Sequence, residues 1–145
     1  YMRAKVAQER LVKRAAVPFT ILHSTQFFEF LSTLAHINTQ GETVHLPPAL
    51  VQPVAADDVA AMLAKIAMGA PATDVVELAG PEPFRLDALV GQFLSALQDP
   101  RQVITDEQVR YFGAPLDERS LMPGEAARIG ATTFANWLED HDDSL

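Results

Sequence analysis

A helix-period stretch that is cut off at Val17-Pro18 and followed at once by the β-rich run Phe19-Thr20-Ile21-Leu22-His23 is what most restricts the fold of this chain. Residues 1 to 15 place Ala4, Ala7, Leu11 and Ala15 at helical spacing, with Arg3, Arg10, Lys13 and Arg14 toward water and Glu9 four residues before Lys13. Proline lacks an amide hydrogen and drives its predecessor into extended space, so this helix stops before Pro18. The run that follows reads as a short strand of the kind buried in a parallel sheet. Helix followed directly by buried strand predicts α/β layering.

The rest of the chain repeats the alternation. Ser24-Thr25-Gln26 follows the strand, and Phe27 to Leu34 resumes a helical apolar pattern. Gly41-Glu42 marks a turn into Thr43-Val44-His45-Leu46, while Pro47-Pro48 and Pro53 confine Leu50-Val51-Gln52 to an extended or edge conformation. Asp57 or Asp58 is placed to cap a helix from Val59 to Ala67, closed by Gly69 and Pro71. Val75 to Ala79 is the next strand, ended by Gly80-Pro81. Leu86 to Leu97 carries a helical stripe with Asp87 in its first turn, Gln102 to Thr105 is a strand, and Thr133 to Asp140 a last helix held by Phe134, Trp137 and Leu138. The order predicts one α/β domain with a mostly parallel component.

Composition narrows the function. At 145 residues and 48% hydrophobic content the chain supports one core. Its formal charge of −8 argues against a nucleic-acid partner. Apolar stretches are interrupted well before the roughly 18 residues a membrane span needs, and no signal pattern is present. A soluble, cytoplasmic protein without disulfides or thiolate metal sites is expected from the absence of cysteine. None of the seven glycines forms Gly-x-Gly-x-x-Gly.

Tyr1 and Lys5 stand four apart on the first helix, which puts both on one face about one turn apart. A lysine ammonium beside a phenol favours the phenolate and lowers its pKa from roughly 10, which prepares tyrosine for acid–base chemistry. The same spacing also occurs where lysine is merely solvated.

Several segments together resemble the C-terminal half of an atypical short-chain dehydrogenase/reductase of the NmrA-like NAD(P)-binding group. Tyr1 to Glu9 is similar to the family's active-site helix, and Val17 to Phe28 to its following strand and cofactor-side loop. Val51-Gln52-Pro53-Val54-Ala55-Ala56-Asp57-Asp58-Val59-Ala60 and Glu77-Leu78-Ala79-Gly80-Pro81 resemble two further signatures. The resemblance implies the C-terminal half of a Rossmann-like doubly wound parallel sheet, plus a small C-terminal substrate-binding region. It implies an oxidoreductase that reduces a carbonyl or quinone-like small molecule with NAD(P), NADP being mildly preferred. Tyr1 would exchange the proton. Lys5 would hold the nicotinamide ribose and tune Tyr1, and Ser24, Thr25, Gln26 and Phe27 would lie near the nicotinamide. Phe27 and Phe28 would wall the substrate pocket, a core role being equally open to both and at least as open to Phe30. The family's Gly-rich loop, first strands and upstream serine would precede Tyr1, so these 145 residues alone are expected to be a partial domain that binds NAD(P)H poorly. A non-catalytic NAD(P) sensor and a sugar-nucleotide epimerase are the rival readings.

Other constellations are weaker. Asp57-Asp58 diverges on a helix and reads as capping; His23, His36, His45 and His141 lack zinc spacing, so no metal site is expected. Ser24-Thr25 lacks a hydrolase elbow. Residues Glu139 to Asp143 read as a solvated acidic tail, and Arg110, Tyr111, Phe112, Asp117, Glu118 and Arg119 as a loop whose default is surface packing.

Overall fold

A computed structural model describes residues 1–117 and 119–141. Glu118 and the end of the acidic stretch, Asp142 and Asp143, lie outside the described residues. The chain is mixed α/β, with five helices, α1 (Met2–Arg14), α2 (Leu31–Ile37), α3 (Ala56–Met68), α4 (Leu86–Ala96) and α5 (Phe134–His141), among the described residues. The described residues also form eight strands, β1 (Thr20–Ser24), β2 (Thr39–Gln40), β3 (Thr43–Leu46), β4 (Leu50–Val51), β5 (Asp74–Ala79), β6 (Phe84–Arg85), β7 (Gln102–Thr105) and β8 (Arg128–Ile129).

The strands form three small sheets. β1, β5 and β8 make an all-parallel sheet in that order, with Leu22 opposite Val76 and His23 opposite Glu77. β2, β3 and β7 make a mixed sheet, and β4 pairs antiparallel with β6. The all-parallel sheet is therefore three strands wide among the described residues, with β1 at its edge, and β3 also pairs parallel with β7 in the mixed sheet. β2, β6 and β8, two residues each, are strands that the sequence pattern does not predict, since so short a run shows no period.

The main core does not sit on the parallel sheet. It gathers Phe28, Leu31, Leu34, Val44, Leu46, Leu86, Leu89, Val90, Phe93, Leu94, Phe134 and Trp137, drawn chiefly from α2, β3, α4 and α5. Leu86, Leu89, Val90, Phe93 and Leu94 recur at helical spacing, so one stripe of α4 is wholly buried. Trp137 packs against Phe28 at 5.5 Å and donates its indole N–H to Glu29 Oε1 at 2.9 Å. By contrast β1 has no fully buried residue, and β5 buries only Leu78 and Ala79.

Three expectations need correction. The helix expected from Phe27 begins as a 3-10 turn, Phe28–Phe30, and becomes α-helical only at Leu31. Neither Asp57 nor Asp58 caps α3. Its N-cap is Ala55, the Ala56 amide donates to Glu29 Oε1 at 3.1 Å, and Asp58 instead accepts hydrogen bonds from the Thr132 amide (2.9 Å) and hydroxyl (3.2 Å). Asp58 thus fastens α3 to the approach to α5. Finally, the apolar stripe of α1 is uncovered: the helix has no buried residue and Leu11 is 70% exposed. Elsewhere in the acidic stretch, Glu139, Asp140 and His141 belong to α5. No helix among the described residues is long and apolar enough to cross a membrane.

Candidate active site

β1 ends at Ser24, and the chain then crosses to the segment around Pro53 rather than continuing outward. The Thr25 amide donates to Leu78 O at 3.0 Å, its hydroxyl to Gln52 O at 2.6 Å, the Val54 amide to Gln26 O at 2.8 Å and the Phe28 amide to Val54 O at 3.2 Å. These bonds fix the loop Thr25–Phe27 at the C-terminal end of a parallel strand, where ligands of open α/β sheets gather. They also commit the Thr25 hydroxyl to the scaffold.

Beside this loop lies a cleft of about 750 Å³, within the roughly 300–1,000 Å³ typical of small-molecule sites. Tyr1, Lys5 and Glu9 line it from one face of α1, Leu22 to Phe27 from β1 and its loop, and Phe30 from the 3-10 turn. Glu77, Tyr111 and residues Ser120 to Pro123 close the far side. The fold therefore brings together Tyr1, Lys5, Ser24, Thr25, Gln26 and Phe27 around one cavity.

Phe28 is the exception and is corrected: it is 0% exposed, packed on Phe134 at 5.5 Å, and out of reach of a substrate. A turn of three residues per revolution sends consecutive side chains in different directions. Phe28 therefore points into the core, while Phe27 and Phe30 stay 37% and 36% exposed.

The side chains of Tyr1 and Lys5 are not hydrogen-bonded to each other; the Lys5 amide donates to Tyr1 O at 3.1 Å as part of the helix. Tyr1 is 92% exposed, and Lys5 Nζ donates to Gln8 Oε1 at 2.9 Å. What fastens α1 to the sheet is a pair that spacing did not single out: His23 Nε2 lies 2.6 Å from Glu9 Oε1. The hydrogen bond with His23 holds the Glu9 carboxyl below its usual range, with Lys13, 3.5 Å away, adding to the effect. Glu9 was detectable as the next position, four residues on, of the Tyr1–Lys5 face. Tyr111 joins the site only through tertiary contact, and burial raises its phenol pKa, keeping it protonated.

Gln26 Oε1 is a buried side-chain acceptor without a donor among the described residues. No group of three or more His, Asp or Glu side chains able to hold a metal occurs among them either. Comparison with protein-family profiles and with curated protein sequences returns no match.

Proposed function

We propose that this chain is the C-terminal part of an NmrA-like, Rossmann-type oxidoreductase that reduces a carbonyl or quinone-like small molecule with NAD(P)H. The observation that carries this reading is the convergence of Tyr1, Lys5 and residues Ser24 to Phe27 on one cleft at the end of a parallel strand. The residues present fit the nicotinamide end of the cofactor. Lys5 and the Ser24 hydroxyl would face the ribose. No Gly-rich turn in this sequence is available to hold the diphosphate.

Bound reduced nicotinamide supplies the hydride that the substrate carbon accepts. Tyr1 Oη gives its proton to the carbonyl oxygen as that oxygen becomes an alcohol, and recovers a proton from solvent through the open cleft. Lys5 favours the transient phenolate once its ammonium leaves Gln8 and turns to Tyr1. Thr25 holds the loop rather than the ligand, since its hydroxyl is already spent on Gln52.

The test is NAD(P)H oxidation with a panel of carbonyls and quinones by the natural polypeptide that carries this sequence, alongside its Tyr1→Phe variant. Turnover reduced by on the order of 100-fold in the variant, with nucleotide affinity retained, is the expected result. Nucleotide binding without turnover in either protein would instead establish the sensor reading. One observation favours that second reading: the Lys5 ammonium is bonded to Gln8 rather than to a phenol.

A further inference from the structure

The residues Tyr111 to Ala114 form a tight turn that places an aromatic ring where the backbone disfavours one. The Tyr111 amide donates to Ala114 O at 2.9 Å and the Ala114 amide returns a bond to Tyr111 O at 3.0 Å. The two residues between them, Phe112 and Gly113, have φ of 48° and 83°. Positive φ at both central positions is the signature of a type I′ turn, which favours Asn-Gly because a bulky side chain is strained at the first position. Phe112 occupies that position and is nonetheless 61% exposed, so core burial does not explain it.

Its contacts do. Phe112 meets Tyr111 edge-on at 4.8 Å between ring centroids and Phe30 at 5.8 Å with a 35° tilt. Tyr111 and Phe30 both line the cleft described above. Phe112 is therefore the middle ring of three, in contact with two rings that line the cleft. Phe27, also half-open, lies on the same cleft. Strained backbone persists where the surroundings require it, and such positions concentrate at ligand clamps.

We propose that Phe112 is a positioning residue that sets Phe30 and Tyr111 as an aromatic wall, and that this wall selects planar aromatic ketones and quinones over saturated ones. The inference rests on the reading of the cleft as a carbonyl-reduction site. Aromatic rings prefer offset or edge-on partners, an interaction a saturated ring of equal bulk does not offer.

The test compares binding of 2-acetonaphthone and its fully ring-saturated counterpart to the unmodified chain, Phe112→Asn and Phe112→Leu, by ligand-observed NMR titration without nucleotide. Asparagine accepts positive φ, so Phe112→Asn keeps the turn while removing the ring. Affinity for the aromatic ketone should fall about fivefold in both variants, the scale of one aromatic pair, while the saturated ketone is unaffected. Equal affinity of the unmodified chain for the two ketones, parallel losses for both, or full aromatic preference retained in Phe112→Leu would each overturn the proposal. The binding readout is independent of turnover. Loss of the oxidoreductase reading through an inert Tyr1→Phe comparison therefore leaves a distinct result from loss of the aromatic wall.

Discussion

Gly80→Ala should unfold the site from beneath, although Gly80 touches no ligand space. β5 ends where Gly80 passes under the segment Gln52 to Val54. A Cβ at position 80 would overlap the Pro53 carbonyl oxygen and stand 2.8 Å from its carbon and 3.3 Å from Val54 Cα. Non-bonded atoms sit comfortably at roughly 3.5–4.0 Å, so relieving the overlap with the carbonyl oxygen requires the two backbones to separate by well over about 1 Å. The Pro53 segment cannot easily recede. It is tied to Gly80 O by Gln52 Nε2 at 2.8 Å and to the site loop through Thr25 and Gln26.

Lengthening bonds of 2.6–2.8 Å by that amount breaks them. Overpacking against backbone together with one or two lost hydrogen bonds gives a destabilisation of about 3 kcal/mol. For a chain of this size that is a fall of roughly 9 °C in Tm. Gly91→Ala is the matched control. Its Cβ would meet only Val103 Cγ2, at 3.9 Å, and Gly91 lies inside α4, where alanine is the better helix former by about 1 kcal/mol. Urea unfolding of the two variants should therefore move in opposite directions. A loss below about 1 kcal/mol for Gly80→Ala, or shifts of the same sign, would refute the close-approach reasoning.

Three other perturbations have defined outcomes. Gln98, just past α4, has φ of 54° and closes the helix through Asp99 N to Leu94 O at 2.9 Å, so Gln98→Gly should stabilise by about 0.5–1 kcal/mol; a lower unfolding temperature would contradict this. Asp87, a buried carboxylate, accepts from the Arg85 guanidinium at 2.7 Å and the Thr105 hydroxyl at 2.7 Å, and the Arg85 bond first of all holds its pKa below the usual value. A depressed folded pKa means stability that is complete above the unfolded pKa of roughly 4 and is lost as pH falls through the folded value. Asp87→Asn should cost about 2 kcal/mol at neutral pH and flatten the acid limb of the stability profile, and an unchanged acid limb would show that Asp87 does not drive it. Hydrogen exchange should find the amides of α1 among the fastest helical amides and those of α4 among the slowest, with Glu9→Gln or His23→Ala loosening α1 further; protection of α1 equal to that of α4 would argue against a helix held mainly by the Glu9–His23 contact.

The legible part of this fold is the part written in local periods and punctuation. The α4 stripe from Leu86 to Leu94 could be read because burial recurs every three to four residues, and the end of the first helix because Pro18 forbids its continuation. The candidate residues that follow a strand end, Ser24 to Phe27, were readable for the same reason. Phe28 and Phe30 show the limit. Both looked apolar and adjacent to the site, yet a single 3-10 turn buries one and opens the other, and their spacing does not specify which.

Asp58 likewise looked like a helix cap, yet the N-cap is Ala55 and the free Ala56 amide is taken up by Glu29, 27 residues away in sequence. What the sequence determined by itself is the alternation of helix and strand, the absence of a Gly-rich phosphate turn, and a Tyr1–Lys5 face on the first helix. These depend on φ limits and on repeat spacing within a few residues. Only tertiary structure decided that β1 lies at the edge of a narrow parallel sheet, that the main core gathers around α4 instead, that Gly80 must lack a side chain, and that Phe112 meets two rings that line the cleft. Those outcomes depend on which distant surfaces meet, and the energy of that meeting leaves no period in the chain.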